Sequence, residues 1–249
     1  MSYAEIAGLG TPEREWQAWP GLAALPTTTV ADLLPAGARL VVVAPHPDDE
    51  VLGAGGLLAL AHEAGHEVAV VAVSDGTASH PGSARWTPAA LAATRPEETA
   101  TALARLGLAG TGVIRLGEQD GAVRAGAVAA GVAARLRPGD VAATTWRGDG
   151  HPDHEATGEG VVSAAAALGV PVLELPIWTW HWAAPGDPRV PWERARWLAL
   201  PPDVLARKQF AVEAYQSQLM HDDALAIGAV LPPPVLARLL RDAETVLLP

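Results

Sequence analysis

The chain contains no cysteine, which excludes disulfides, thiolate metal sites and a cysteine nucleophile together. Any transition metal must therefore be bound by imidazole and carboxylate. Basic residues are scarce: 17 Lys and Arg stand against 28 Asp and Glu, for a formal charge of −11 and a pI near 5.1. No Lys/Arg cluster is present, and nucleic-acid binding needs a basic stripe, so no nucleic-acid partner is expected. Long apolar runs are missing too; Leu40 to Ala44 is strand-sized and far too short to span a bilayer. The opening MSYAEIAGLGTPEREW has neither a basic n-region nor an apolar h-region. These absences lead to the expectation of a soluble cytoplasmic protein with no membrane partner. Aromatics make up 5% of the chain, as nine Trp, two Tyr and one Phe.

What is present is 249 residues with 49% hydrophobic content, enough for one well-buried core. After a leader (1–38) expected to be irregular with one short helical stretch, the pattern becomes regular. Buried strands are predicted at 39–44, 67–73, 112–116, 140–145 and 170–175, and a further one at 195–200. Helices are predicted at 51–64, 88–106, 122–136, 153–168, 202–217 and, last and amphipathic, 234–245. The Pro-rich stretch 183–195 reads as a loop or lid. Strands alternating with helices imply a mostly parallel sheet covered on both faces, a Rossmann-like three-layer α/β/α sandwich. The whole chain, 1–249, is expected to be one domain, with 176–249 forming a C-terminal substrate-cleft and helical region.

Two histidine–carboxylate clusters follow two of these strands: Pro45-His46-Pro47-Asp48-Asp49-Glu50 and Gly150-His151-Pro152-Asp153-His154-Glu155. In doubly wound sheets, ligands bind beyond the carboxyl ends of the strands, where strand order reverses. With the common order 3-2-1-4-5, the first and fourth strands are neighbours and the clusters face each other across one crevice. A catalytic zinc site has three protein ligands and one open position. His46 and Asp49 can reach one ion from a strand-to-helix turn, and His154 can complete the triad. Asp48 is then free as general base on a water whose pKa the metal lowers, while the metal polarises the substrate carbonyl. His151 is placed to stabilise the oxyanion or protonate the leaving amine, and Asp153 to orient His151. The bland alternative is that HPDD merely caps the next helix with acids at its positive end. One such cluster would leave that open; two, both in the functional position of the fold, point to a metal site.

HPDDE after the first strand, with a later HPDH, resembles the LmbE-like or PIG-L deacetylases, zinc-dependent de-N-acetylases, over most of the chain from Arg39 to Leu219. The resemblance implies zinc on His46, Asp49 and His154, Asp48 as general base and His151 assisting the transition state. Arg95 with Glu98 resembles the family's R-x-x-E, whose Arg helps bind substrate. Asp120 resembles a loop acid that contacts sugar hydroxyls, and Lys208 through Gln218 resembles a late Lys…SQ segment. Ordinary alternatives exist for each: a helical ion pair, a turn residue and a surface amide. The implied activity is removal of an N-acyl group, acetyl first, from an amino sugar or glycosylated metabolite. Iron(II) would suit the same His/Asp/His triad. Family members are often oligomeric, so a homo-oligomer fits the resemblance, although no interface signature is visible. Trp178, Trp180 and Trp182 alternate as on one strand face and could line a cleft or the core edge.

The sequence admits three rival readings. The glycines Gly53, Gly55 and Gly56 invite a dinucleotide site, but they follow HPDDE rather than forming the turn, and Leu58 fills the third fingerprint position. They serve close packing instead. A metallohydrolase acting on another amide or ester could use the same triad and base. A non-catalytic zinc-containing glycan-binding protein would need neither Asp48 nor His151.

Overall fold

The valine-rich run at 40–44 becomes the centre of the molecule. In the computed structural model, which describes residues 8–249, it forms strand β2 (Leu40–Ala44), with all five residues buried. The other strands are β1 (Thr27–Thr28), β3 (Val68–Ser74), β4 (Val113–Glu118), β5 (Val141–Thr145), β6 (Val172–Leu175), β7 (Ala195–Ala199) and β8 (Ala243–Leu247). They make one eight-stranded sheet in the order β1-β7-β8-β6-β5-β2-β3-β4. The run β4-β3-β2-β5-β6 is the expected 3-2-1-4-5 arrangement, with β2 directly beside β5. Strand β8 pairs antiparallel with β6 and β7, and all other pairings are parallel. Seven strands therefore point one way and β8 alone points the other.

The leader beyond residue 7 is more ordered than its sequence suggests. It contains three short helices, α1 (Glu13–Ala18), α2 (Pro20–Ala23) and α3 (Val30–Leu33), and lends β1 to the sheet edge. The main helices cover both faces. α4 (Asp49–Glu63) and α5 (Pro88–Arg105) lie on one face, each packed against α9 (Pro202–Val212); α6 (Ala125–Ala133) pairs with α7 (Pro152–Ala166) on the other. The alternation along β2 shows the two layers directly. Leu40 and Val42 enter a core with Leu57, Leu58 and Leu103, whereas Val41 and Val43 enter another with Val128, Val132 and Val161.

Three expectations fail in the C-terminal part. The helix predicted at 234–245 is only α11 (Pro233–Leu236), and its end is the fully buried strand β8. The cause is non-local: a slot between β6 and β7 offers unpaired backbone, and the β-branched, aliphatic TVL fills it. Its Glu244 is buried, accepts from the N–H groups of Gly56 (2.7 Å) and Leu57 (2.8 Å), and pairs with Lys208 at 2.6 Å. Gly56 eases this approach, because a Cβ there would come 3.2 Å from Glu244 Cδ and 2.3 Å from Leu200 Cδ2. The Trp178–Trp182 stretch is not a strand either; it winds into α8 (Thr179–Trp182). The predicted helix 202–217 splits into α9 and α10 (Gln216–Leu219). Among the described residues no helix is long and apolar enough to cross a membrane.

Candidate metal centre and its cavity

Both motifs sit where a buried strand gives way to a helix. HPDDE links β2 to α4, and GHPDH leads from β5 into α7. Because β2 and β5 are hydrogen-bonded neighbours running the same way, the two loops emerge side by side. Rings from the two loops are close: the His46 and His151 centroids lie 5.0 Å apart, and those of His151 and His154 lie 4.9 Å apart.

Ligand atoms of His46, Asp49 and His154 all lie within 4.8 Å of one another. Asp49 Oδ2 is the hub, 3.2 Å from His46 Nδ1 and 3.2 Å from His154 Nε2. It also accepts the His46 backbone N–H at 3.0 Å. A second overlapping group, His46, His151 and Asp153, meets the same spacing. In that group, however, Asp153 is already engaged, accepting from Gly121 N–H (2.7 Å) and Val123 N–H (3.1 Å) and facing His46 Nε2 at 3.2 Å. His154 Nε2 decides for the first group: it is buried and, despite its closeness to Asp49, has no hydrogen bond of acceptable geometry. A buried imidazole nitrogen left open beside a carboxylate and a second imidazole fits zinc or another divalent transition ion.

The electrostatics agree with that fit. Although burial works against it, the carboxylates of Asp49 and Asp149 hold the His154 imidazolium up to about 9. His46 is likewise raised, against burial, by Asp120, Asp153 and Asp49. Asp49 is driven well below the carboxylate range by the two histidines, again against burial. Protons on these rings supply the positive charge that a cation would supply in their place.

Asp48 stands apart. It is the one non-glycine residue among those described with a positive φ, at 125°, a conformation costing about 1–3 kcal/mol that persists only when its surroundings hold it. It occupies the N-cap position of α4 but its side chain caps nothing, so the bland helix-cap reading does not describe it. Burial pushes its carboxyl up to about 8, against the pull of Arg95. Its backbone N–H donates to Glu50 Oε2 at 3.0 Å, and Glu50 Oε1 accepts from the Tyr215 hydroxyl at 2.6 Å.

Arg95 holds this strained corner from behind. Its Nη2 donates to Asp48 Oδ2 at 3.0 Å and to the Pro47 carbonyl, and its Nη1 to the Gly76 carbonyl at 2.9 Å. Gly76 must be glycine, since a Cβ there would lie 1.7 Å from Arg95 Nη1. Glu98 is not its helical partner; it accepts from the Ser217 N–H and Oγ, both at 2.7 Å. The Lys208–Gln218 segment thus divides. Lys208 and Ser217 are buried ties to Glu244 and Glu98, while Gln218 lines the cavity.

His151 takes the N-cap position of α7, its Nδ1 accepting from the backbone N–H of Asp153 at 3.2 Å. That amide sits where the sequence suggested the Asp153 carboxylate. Burial, with His154 and His46 beside it, pulls His151 down to about 3, so the ring is neutral. Asp120 accepts from Ala78 N–H at 2.6 Å and faces His46 Nε2 at 3.2 Å, and these contacts bring it to about 2 although burial opposes them.

Asp149 escaped the sequence reading. It is fully buried, and its Oδ2 lies 2.8 Å from His154 Nδ1 and accepts the Trp178 N–H at 2.9 Å. Its Oδ1 accepts from Ile177 N–H, Thr179 N–H and Thr179 Oγ1 at 2.9, 2.9 and 2.6 Å. One carboxylate thus orients a candidate ligand and starts the helix carrying the tryptophans. The only local signal was an acid five residues before His154. The three Trp go separate ways. Trp178 lines the cavity and stacks on His151 (6.0 Å, 25°), Trp180 packs against Trp16 in the core, and Trp182 donates to the Asp149 carbonyl at 2.7 Å.

The site opens into a cavity of about 190 Å3 lined by His46, Asp48, Asp49, Arg95, Asp120 and His151 on its polar side. Its other lining includes Leu52, Ile177, Val230, Leu231, Val235 and Leu239, with Arg238 among them.

Sheet order and site together define an α/β protein with a His/Asp/His centre at the carboxyl ends of adjacent parallel strands. The chain belongs to the PIG-L family, the GlcNAc-PI de-N-acetylases, whose model matches residues 41–165. Among solved structures it is similar to a triple mutant, Orf2*T, of a deacetylase involved in the teicoplanin biosynthetic pathway. Identity is 26%, coverage 85% of this chain and 97% of that one, and the TM-score 0.64. N,N'-diacetylchitobiose deacetylase from Pyrococcus horikoshii shares 18% identity over 76% and 74% of the two chains, with a TM-score of 0.63. The zinc-inhibited form of teicoplanin deacetylase Orf2 shares 21% over 84% and 97%, with a TM-score of 0.57. Below 25% identity such likeness speaks for the fold alone. No curated protein matches the chain.

Proposed function

We propose that this protein is a zinc-dependent hydrolase that removes an N-acyl group, acetyl first, from an amino sugar or glycosylated metabolite. The observation that carries it is Asp48: a second buried carboxylate beside the His46/Asp49/His154 group, held in a strained backbone and capping nothing. A structural metal site or a sugar-binding cleft has no use for it. His46, Asp49 and His154 would hold the metal, which when bound polarises the amide carbonyl and brings the pKa of water towards neutrality. Iron(II) would fit the same donors.

Asp48 takes the proton from the attacking water, and burial, by raising its proton affinity, suits it to a general base. With Nδ1 accepting from Asp153 N–H, the neutral His151 ring carries its proton on Nε2. That tautomer donates a hydrogen bond to the oxyanion, and the proton that Asp48 took from the water passes to the leaving amine. Asp153 holds residues 121–123 in place through its carboxylate. Asp120 is read as an acceptor for a substrate hydroxyl, and Arg95 acts by positioning Asp48. The chain works as one unit in this reading, residues 176–249 supplying part of the cavity wall.

The test is acetate release from a panel of N-acetylated amino sugars and glycosides, before chelation and after zinc or iron(II) is restored. Metal-restored release is expected. Asp48→Ala should keep one metal per chain while losing roughly 10²- to 10⁴-fold in rate; wild-type rates in that variant would sink the mechanism. Bound metal with no release from any N-acetyl compound would redirect the reading to another amide or ester.

A further inference from the structure

Three cations are buried among the described residues, Arg95, Lys208 and Arg238, each no more than 3% exposed. Two have carboxylate partners: Arg95 reaches Asp48 at 3.0 Å and Lys208 reaches Glu244 at 2.6 Å. Among the described residues Arg238 has no ion-pair partner. Its Nη1 donates to the carbonyls of Leu9 (2.7 Å) and Thr11 (2.8 Å), and its Nη2 lies 3.0 Å from His181 Nδ1. Glu13, the acid whose charge reaches it, is bound at two points by Arg241, at 2.8 and 2.6 Å. Burial, with Arg241 adding its repulsion, pulls the Arg238 guanidinium down to about 10.

A buried charge without a counter-charge is expensive, and such groups are retained when something else compensates them. A guanidinium has five N–H donors. Three of them are engaged here, which leaves the Nε–H and one Nη2–H. Tying the Leu9 and Thr11 carbonyls to the C-terminal segment would need two neutral donors, with no charge. Arg238 also lines the cavity that holds His46, Asp48 and Asp49, in company with Leu231, Val235 and Leu239.

We propose that Arg238 is an anion subsite of this cavity, binding a carboxylate or phosphate of the substrate while an apolar part of the same molecule lies on Leu231, Val235 and Leu239. The inference rests on reading the cavity as the substrate site, and it makes the substrate class an amphiphilic anion rather than a neutral sugar.

Binding to the protein as purified tests it without any turnover, so a failure to deacylate leaves the result intact. The probes are hexanoate, hexyl phosphate and 1-hexanol, titrated by calorimetry and by tryptophan emission, to which Trp178 in the cavity wall contributes. At least one anion should bind ten times or more tighter than hexanol, and the tighter of the two identifies the group. Arg238→Gln should remove that preference and leave hexanol unchanged. Any affinity of the anions for a resident metal is common to both proteins and cancels in the comparison. Should the Gln variant not fold, Arg238→Lys, which keeps the charge and loses the planar fork, should weaken the anions several-fold and spare hexanol. Anions no tighter than hexanol, or a preference that survives the Gln or Lys change in full, would overturn the proposal.

Discussion

The loop after β2 and the loop after β5 each turn a buried strand into a helix, and each carries His-Pro-Asp. They are held by different parts of the chain. The first is strained at Asp48 and depends on distant elements: Arg95 from α5, the Gly76 carbonyl after β3, and Tyr215 between α9 and α10 through Glu50. The second is held largely by its own Asp149, which faces His154 on one side and the start of α8 on the other. Under the proposed function the difference separates two tasks. A base must be kept in an unfavourable conformation, which takes several remote anchors. A ligand must be aimed, which takes one carboxylate behind its ring. Asp149 also ties the cavity wall to the candidate metal loop, since it faces His154 and accepts the Trp178 N–H.

Each half of this contrast can be broken separately. The largest effect is expected from Arg95→Lys, which keeps the charge but cannot reach Asp48 and two carbonyls with one planar fork. The rate should fall by roughly 10²-fold, as for a reacting group displaced by about 1 Å, while metal content stays at wild-type level. Loss of metal together with rate would show that the two loops are not independently held. Asp149→Asn should do the reverse. The amide offers a donor where the carboxylate met only donors, so metal affinity should drop about 10- to 100-fold in a chelator competition. Tryptophan emission should shift with it because Trp178 loses an anchor. A weaker metal with unchanged emission would mean that α8 does not depend on this carboxylate.

The smallest effect concerns a group outside the site. Glu174 on β6 is buried and accepts from Arg147 (2.9 Å) and Arg194 (2.6 Å). Burial opposes ionisation, but these arginines hold the carboxyl below its usual 4.5. Because the folded-state value is depressed, the stability it contributes is present above about pH 4.5 and is lost as pH falls through the folded value. Glu174→Gln should therefore lower Tm near neutrality by a few degrees at most and give a shallower acid decline than wild type. Parallel declines in the two proteins would remove Glu174 from the account of acid stability.

Much was legible in the sequence because it is written in local pattern. Unbroken runs of aliphatic, alanine and threonine residues at 40–44 and 141–145 mark strands buried on both faces, and their alternation with helices brings the parallel sheet and its strand order. The two motifs could be assigned to one crevice because connections in such sheets follow few rules. What escaped depends on partners far away in the chain. The helical period of 234–245 was real, but the open slot between β6 and β7 outweighed it and drew out β8. The Trp178–Trp182 alternation reads as a strand until Asp149, 30 residues before Thr179, accepts the amides that start a helix. Arg95 and Glu98 have the spacing of a helical ion pair, and only the approach of the β2 loop and Ser217 shows that each faces elsewhere.

By itself, then, the sequence determined the elements with two-sided burial, the layer architecture and the pairing of His46, Asp49 and His154 around one point. Residue type and short-range spacing suffice for these. The tertiary structure alone decided the antiparallel strand, the positive φ of Asp48, the double duty of Asp149 and the burial of Arg238 with no carboxylate partner among the described residues. Each of these is a relation between segments remote in sequence, and burial sets its energy only once the fold has brought them together.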